Sequence, residues 1–149
     1  MYDKKHHYVR ERFYRDWSYH GMHPRGTVRD HLGYNLECAW FLLRMYGLTK
    51  NRTYFGHAKE MIKYCIRYGW DVQNSGFYGF AYRNKVLANT DKIWWVQCEG
   101  ALSLLQLYRL TRNSVCYDYF RKTTDFCFRH LFDHPHGEWF HSCYEDGTS

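Results

Sequence analysis

Shifting the sequence by 62 positions lays Met45-Tyr46-Gly47-Leu48-Thr49-Lys50-Asn51 on Leu107-Tyr108-Arg109-Leu110-Thr111-Arg112-Asn113. This internal repeat constrains the fold more than any other feature of the chain. Tyr64-Cys65-Ile66-Arg67 then falls on Phe126-Cys127-Phe128-Arg129, Asp71 on Asp133, and Glu37 on Glu99. Each unit reads as helix, short turn, helix and aromatic–glycine loop. A single helical hairpin cannot cover its own apolar face, so units of this kind need neighbours on both sides. Two units neither close a ring nor cap their ends. The whole chain, 1–149, therefore reads as part of one larger domain of stacked hairpins.

Periodicity places the elements. From Tyr34, residues Leu36, Ala39, Trp40, Leu43 and Tyr46 recur at three- and four-residue spacing and give one apolar helix face, broken at Thr49-Lys50-Asn51. A second helix runs from about 53 to 68, burying Phe55, Met61, Ile62, Cys65 and Ile66. Gly76-Phe77-Tyr78-Gly79-Phe80 reads as a hairpin or loop. A third helix spans about 93 to 110, with Trp94, Cys98, Ala101, Leu102, Leu105 and Tyr108 as its periodic set. A fourth starts at Asn113-Ser114 and continues to Phe132. Gly137-Glu138-Trp139-Phe140 repeats the aromatic loop. The first thirty residues are polar, aromatic and irregular, with Val9 to Trp17 as an extended piece.

Composition excludes several classes. Of 149 residues, 15 are Tyr, 10 Phe and 6 Trp, which suits a core and also suits a groove that stacks on flat sugar faces. The net charge is +6, but the Lys and Arg outside the N-terminus are mixed with Asp and Glu along helices, and no zinc-finger or RRM signature occurs. A nucleic-acid partner is not expected. No apolar run approaches the roughly 20 residues a membrane span needs. The 6 cysteines form no CxxC pair, and four lie on apolar helix faces, so they read as reduced thiols of a cytoplasmic protein.

Two acids stand out. Glu37 sits among Leu36, Ala39 and Trp40, and Glu99 among Cys98, Gly100 and Ala101, where a carboxylate is costly to desolvate unless paired. Either alone reads equally well as a boundary Glu turned to water. Their shared place in the repeat points both toward a common central cavity. Trp94 and Trp95 lie one turn before Glu99, and Trp139 follows the second loop. Consecutive tryptophans point about 100° apart on a helix, so one of the pair can face a ligand while the other packs. His130, His134, His136 and His141 cluster in sequence. Pro135 breaks the helix between them and no acidic or Cys partner stands at ligand spacing, so no metal site is expected. P-loop, GxGxxG, GxSxG and HExxH motifs are absent.

Three blocks in order, Gly33-Tyr34-Asn35-Leu36-Glu37-Cys38-Ala39-Trp40, Lys92-Ile93-Trp94-Trp95-Val96-Gln97-Cys98-Glu99 and Gly137-Glu138-Trp139-Phe140, resemble the N-acylglucosamine 2-epimerase superfamily, which includes cellobiose 2-epimerases and mannose-type isomerases. The resemblance covers the chain from about Val9. It implies an all-α fold of helical hairpins from an (α/α)6 barrel, with short aromatic–glycine loops or β-hairpins. It implies a small-molecule sugar substrate, no cofactor, and chemistry in which one base removes the C2 proton, leaving a cis-enediolate, and a second group returns a proton. Imidazoles suit that work because they titrate near neutral pH. Glu37, Trp94, Trp95, Glu99 and Trp139 are the implied substrate-binding residues. The family's first block usually reads Gly-His, and Tyr34 stands in the His place here. Tyrosine, with an unperturbed pKa of about 10, is a poor base at neutral pH. His31, three residues earlier, is the alternative proton carrier, so Tyr34 and His31 are the catalytic candidates. The family's second catalytic His belongs to a block beyond Ser149, so the 149-residue chain is expected to be inactive alone. A homodimer is compatible with this reading.

Two rival readings remain open at this level. One is a carbohydrate- or partner-binding relative without catalysis, to which Tyr34 lends weight. The other is a glycosidase-like toroid in which Glu37 and Glu99 form the acid–base pair of hydrolysis.

Overall fold

The computed structural model describes residues 2–11, 13–18, 30–81 and 90–148. Four helices carry the fold: α1 (Leu32–Thr49), α2 (Arg52–Gly69), α3 (Trp94–Thr111) and α4 (Ser114–Phe126), the last continued by a π-helical turn, Cys127–Leu131. Both hairpins obey the 62-residue register: α3 begins and ends 62 residues after α1, and Ser114 to Leu131 lies 62 after α2.

The hairpin turns repeat down to their hydrogen bonds. Lys50 and Arg112 close α1 and α3 in the left-handed region, at φ 59° and 57°. Asn51 and Asn113 then open the next helices, each side-chain oxygen accepting a backbone N–H two residues on, at 3.0 Å in both cases.

The helices form two layers. α1 and α3 lie side by side as the inner pair, with α2 behind α1 and α4 behind α3. Close packing of the inner pair and of the loop after α2 depends on small residues. A Cβ on Gly33 would come within 2.3 Å of the Trp95 ring, and one on Gly100 within 2.5 Å of Phe77. Ser103 donates its hydroxyl to the Leu36 carbonyl at 2.7 Å, tying α3 to α1.

Short ladders gather at one end of the helices. β1 (Tyr2–Asp3) pairs with β2 (Tyr8–Val9), β3 (Asp30–His31) with β4 (Phe80–Ala81), β5 (Lys92–Ile93) with β8 (Ser142–Cys143), and β6 (Phe132–Asp133) with β7 (Glu138–Trp139). In each unit the strand entering the inner helix is stitched to the loop leaving the outer one.

Two sequence expectations need correction here. The first is the N-terminal segment, read as an extended piece. Residues 2–11 and 13–18 instead repeat the described parts of the loops that follow the outer helices, offset by 68 residues from the first unit rather than 62. Asp3 Oδ1 accepts the amides of Lys5 and His6 at 2.9 and 3.0 Å, as Asp71 Oδ1 accepts those of Gln73 and Asn74 at 2.9 and 3.1 Å. Tyr14 N–H to Ser18 O and Tyr144 N–H to Thr148 O, both at 2.8 Å, close matching second turns.

The second correction is the buried stripe of α3. Its core residues are Val96, Gln97, Gly100, Ser103, Leu104 and Leu107, whereas the periodic set Trp94, Cys98 and Leu102 lies half-buried or exposed on the other side. An inner helix is covered by a neighbour on one flank and its own outer helix behind. Its remaining apolar face is free to line a concave surface.

Candidate functional site

Tyr34 and Glu37 of α1 and Trp94, Trp95 and Glu99 of α3 lie on or beside the inner face, with His31 at the head of α1 and Trp139 on the adjoining loop. His31 is the N-cap of α1. Its Nδ1 accepts the Gly33 N–H at 3.3 Å, so in the neutral ring the proton sits on Nε2. The imidazole stacks on Trp95, with centroids 4.9 Å apart and planes at 24°, and meets Phe80 edge-on at 4.7 Å. Burial in this aromatic nest pushes its pKa below the usual histidine value. Tyr34 lies against the same nest, 4.7 Å from His31 and 5.5 Å from Trp95, with 45% of its surface open. The two catalytic candidates are therefore neighbours.

Glu37 and Glu99 occupy the next level down, both half-buried. Trp40 of α1 donates its indole N–H to Glu99 Oε2 across the helix pair. Burial pushes the Glu99 carboxyl up, the Trp40 bond pulls it back, and the charge of Glu37 raises it further. The charge of Glu37 thus reaches the Glu99 carboxyl. Trp40 is the residue that sequence reading missed: it was assigned to an apolar core stripe, yet it is half-buried and holds a carboxylate. The signal was its place three residues from Glu37, on the flank facing α3.

Trp94 remains 37% exposed while Trp95 is half-buried, so the adjacent pair divides between an open face and a packed one. Trp139 lies 6.2 Å from Trp94 and packs edge-on against Phe132 at 5.7 Å. Beyond Glu37 the face continues through Phe41, half exposed and stacked on Trp40 at 4.0 Å. The surface is aromatic with two central carboxylates, a combination suited to a neutral polyhydroxylated ring.

Lys92, the first residue of its block, stands apart from this face. It is wholly buried. Its ammonium donates to Asp71 Oδ2 at 2.7 Å, to the Ser75 carbonyl at 2.7 Å and to the Glu145 carbonyl at 2.6 Å, with the Phe126 ring 4.3 Å away. All three N–H groups are thereby satisfied. Lys92 is an anchor between loops.

Among the described residues no three His, Cys, Asp or Glu gather as a metal site, and the histidines from His130 to His141 stay dispersed: His134 bonds the Phe128 carbonyl and His136 pairs with Asp133. No described helix is long and apolar enough to cross a membrane. A groove of about 450 Å³ between Lys5, His6 and the α2 residues Lys63, Tyr64 and Arg67 lies outside the inner face and shares none of its residues.

Known proteins share this fold. The family model described as N-acylglucosamine 2-epimerase matches residues 1–149. D-mannose isomerase of Marinomonas mediterranea is 28% identical over 129 residues, covering 84% of this chain and 32% of that protein. The chain thus spans about a third of the length of the curated relative it matches. A crystal structure of D-mannose isomerase superposes with a TM-score of 0.85 at 21% identity, over 98% of this chain and 41% of the other. A cellobiose 2-epimerase from Bacillus thermoamylovorans gives 0.84 at 16% identity, over 99% and 37%. The fold is that of the helical toroid, of which this chain makes two hairpins.

Proposed function

The chain belongs to the N-acylglucosamine 2-epimerase family, and we propose that it forms part of a sugar 2-epimerase or aldose–ketose isomerase working through an enediolate at C2. The observation that carries this reading is the family match together with the convergence of His31, Tyr34, Glu37 and Glu99 on one aromatic face. In this reading a free reducing sugar lies across Trp94 and Trp139, and Trp95 backs the proton-transfer corner formed by Tyr34 and His31. Glu37 and Glu99 hold hydroxyls, with Trp40 fixing the second carboxylate. On the same reading the protein works in the cytoplasm, where unpaired thiols persist.

In this reading the cap bond gives His31 a particular part. Its Nδ1 lone pair is engaged by Gly33, so the nitrogen left for a ligand carries the proton and donates. His31 then polarises a sugar oxygen, and removal of the C2 proton falls to another group. Tyr34 in the usual histidine position and the engaged Nδ1 together favour one rival, a relative that binds sugar without turning it over.

The test is C2 deuterium uptake from heavy water into mannose, N-acylglucosamine and cellobiose, using the longest reading frame that encodes this chain. Exchange is expected, and Tyr34→His should raise it, by up to about 10²–10⁴-fold where a base was missing. Sugar binding without exchange in either protein supports the binding relative. Cleavage of a glycosidic bond would overturn both.

A further inference from the structure

Two grooves occupy the same place in the repeat and carry different chemistry. One lies between the N-terminal loop and α2, with a volume of about 450 Å³. The other lies between the loop after α2 and α4, with a volume of about 80 Å³. His7, at φ 61°, and Ser75, at φ 68°, mark the match. Each donates its backbone N–H to the carbonyl of the loop aspartate, Asp3 at 2.7 Å and Asp71 at 3.0 Å. Tyr64 and Phe126, each the thirteenth residue of its outer helix, line the two grooves in turn. The same register sets Lys5, His6 and His7 against Gln73, Asn74 and Ser75, and Lys63 against Asp125.

The fold therefore does not dictate the charge of the first groove. In the second, Lys122 pairs with Asp118 at 2.8 Å and Arg129 with Asp125 at 3.9 Å. In the first, Lys63 pairs with Glu60 at 2.7 Å, the one acid on the wall. The side chains of Lys5 and Arg67 make no hydrogen bond or ion pair among the described residues. His6 and His7 are held by Nδ1, to Asp3 Oδ2 at 3.1 Å and to the Tyr2 hydroxyl at 2.9 Å, so Nε2 of each ring remains for a ligand. The left-handed place that His7 fills belongs to Gly137 in the third loop, at φ 74°. A side chain standing where glycine is the unstrained choice points to a use for that side chain.

The wall also says what kind of ligand fits. The Arg67 guanidinium lies 5.2 Å from the centre of the Tyr68 ring, and stacking of this kind holds its plane while leaving the fork open. A guanidinium fork matches two oxygens of a phosphate, and the ammonium and imidazole groups beside it add charge. The volume falls within the roughly 300–1,000 Å³ of small-molecule sites. Tyr64 is buried and stacked on Tyr8 at 5.4 Å, while Tyr68 packs on Tyr64 at 5.0 Å and beneath Arg67. Neither tyrosine is set out as a platform for a nucleobase. The helix preceding the second groove, α2, supplies none of its lining. A hairpin ahead of the N-terminal loop would leave the first groove open in the same way.

We propose that the groove between the N-terminal loop and α2 binds a compact phosphorylated small molecule without a base. Arg67 and Lys5 are its main contacts, His6 and His7 donate from the loop, and Lys63 offsets Glu60. The groove shares no residue with the inner face, and the inference is independent of the sugar reading.

The experiment titrates pyrophosphate calorimetrically into the full chain, with the helical circular-dichroism signal as the check on folding. One saturable site is expected. Arg67→Ala should weaken binding by about tenfold or more, the loss of one charge-assisted contact. Arg67→Lys should remain weakened, because the charge stays and the fork goes. Lys63→Asp, which copies the second groove, should abolish binding, and Glu60→Gln should tighten it. Arg121→Ala removes the same charge from the exposed side of α4 and should change nothing. A folded chain with no saturable binding would overturn the proposal, and so would equal losses from Arg67→Ala and Arg121→Ala. Citrate binding as tightly as pyrophosphate, or adenosine diphosphate binding more tightly, would make the ligand class wrong.

Discussion

At the mouth of α1 stands His31, which caps the helix with its own Nδ1 and lays its ring on Trp95. At the mouth of α3, in the same place of the repeat, stands Ile93, which makes no side-chain cap; the residue before it, Lys92, is sunk among three acceptors. The backbone plan is shared and the chemistry is not. One helix start is furnished with titratable and aromatic groups that face the open surface. The other is pinned in place by Lys92. Equivalent positions in a repeat are thus free to divide anchorage and chemistry between them.

The largest effect should come from the anchor. Lys92→Met leaves Asp71 buried beside two unpaired carbonyls, and removing one partner of a buried ion pair costs about 3–5 kcal/mol. Urea unfolding measures it, and a loss under about 1 kcal/mol would erase the contrast between the two mouths. Next in size is Gly33→Ala. The new methyl must displace the Trp95 ring, from which it would stand 2.3 Å away, and overpacking of this kind costs about 1–3 kcal/mol. The same substitution should shift the near-ultraviolet dichroism of the tryptophans, because it moves the wall of the aromatic nest.

Where the units are alike they should respond alike. Asn51→Ala and Asn113→Ala each remove an N-cap bond of 3.0 Å, so each should cost about 1 kcal/mol. A difference between them above about 0.5 kcal/mol would show that the second hairpin is held by contacts the first lacks. The smallest effect concerns pH. Burial lowers the His31 pKa below its ordinary 6.5, so between the folded value and 6.5 the unfolded chain takes up a proton that the folded chain refuses. Stability should therefore fall as pH drops through that window. His31→Asn keeps a capping oxygen and should flatten that slope; an unchanged slope would mean that another group titrates.

Much of this architecture was legible in the sequence because the repeat was. Met45 to Asn51 against Leu107 to Asn113 located both hairpin turns, and the helix ends derived from them fall within two residues of the observed ones for α2 and α3. The equivalent places of Glu37 in α1 and Glu99 in α3 followed from the same register. The N-terminal loop was hidden because its offset is 68, and scattered identities mark the correspondence, among them Asp3 with Asp71 and Asp133, Tyr14 with Tyr144 and Asp16 with Asp146. The stripe of α3 was misassigned because an inner helix has two apolar flanks, and periodicity alone does not say which one meets the core. Trp40 and Lys92 were obscured for a related reason: their roles depend on partners 59 and 21 residues away, set by packing between units.

The reach of Lys92 also bears on how the molecule comes apart. Its ammonium joins Asp71 and Ser75, which close the first unit, to Glu145, which closes the second. Stacked repeats otherwise lose order piecemeal, with each unit fraying according to its own stability and its contact with the next. A buried charge shared by two units cannot be half released, since loosening either loop strands it away from water. The end unit therefore does not peel off first, and both hairpins should melt in one cooperative step.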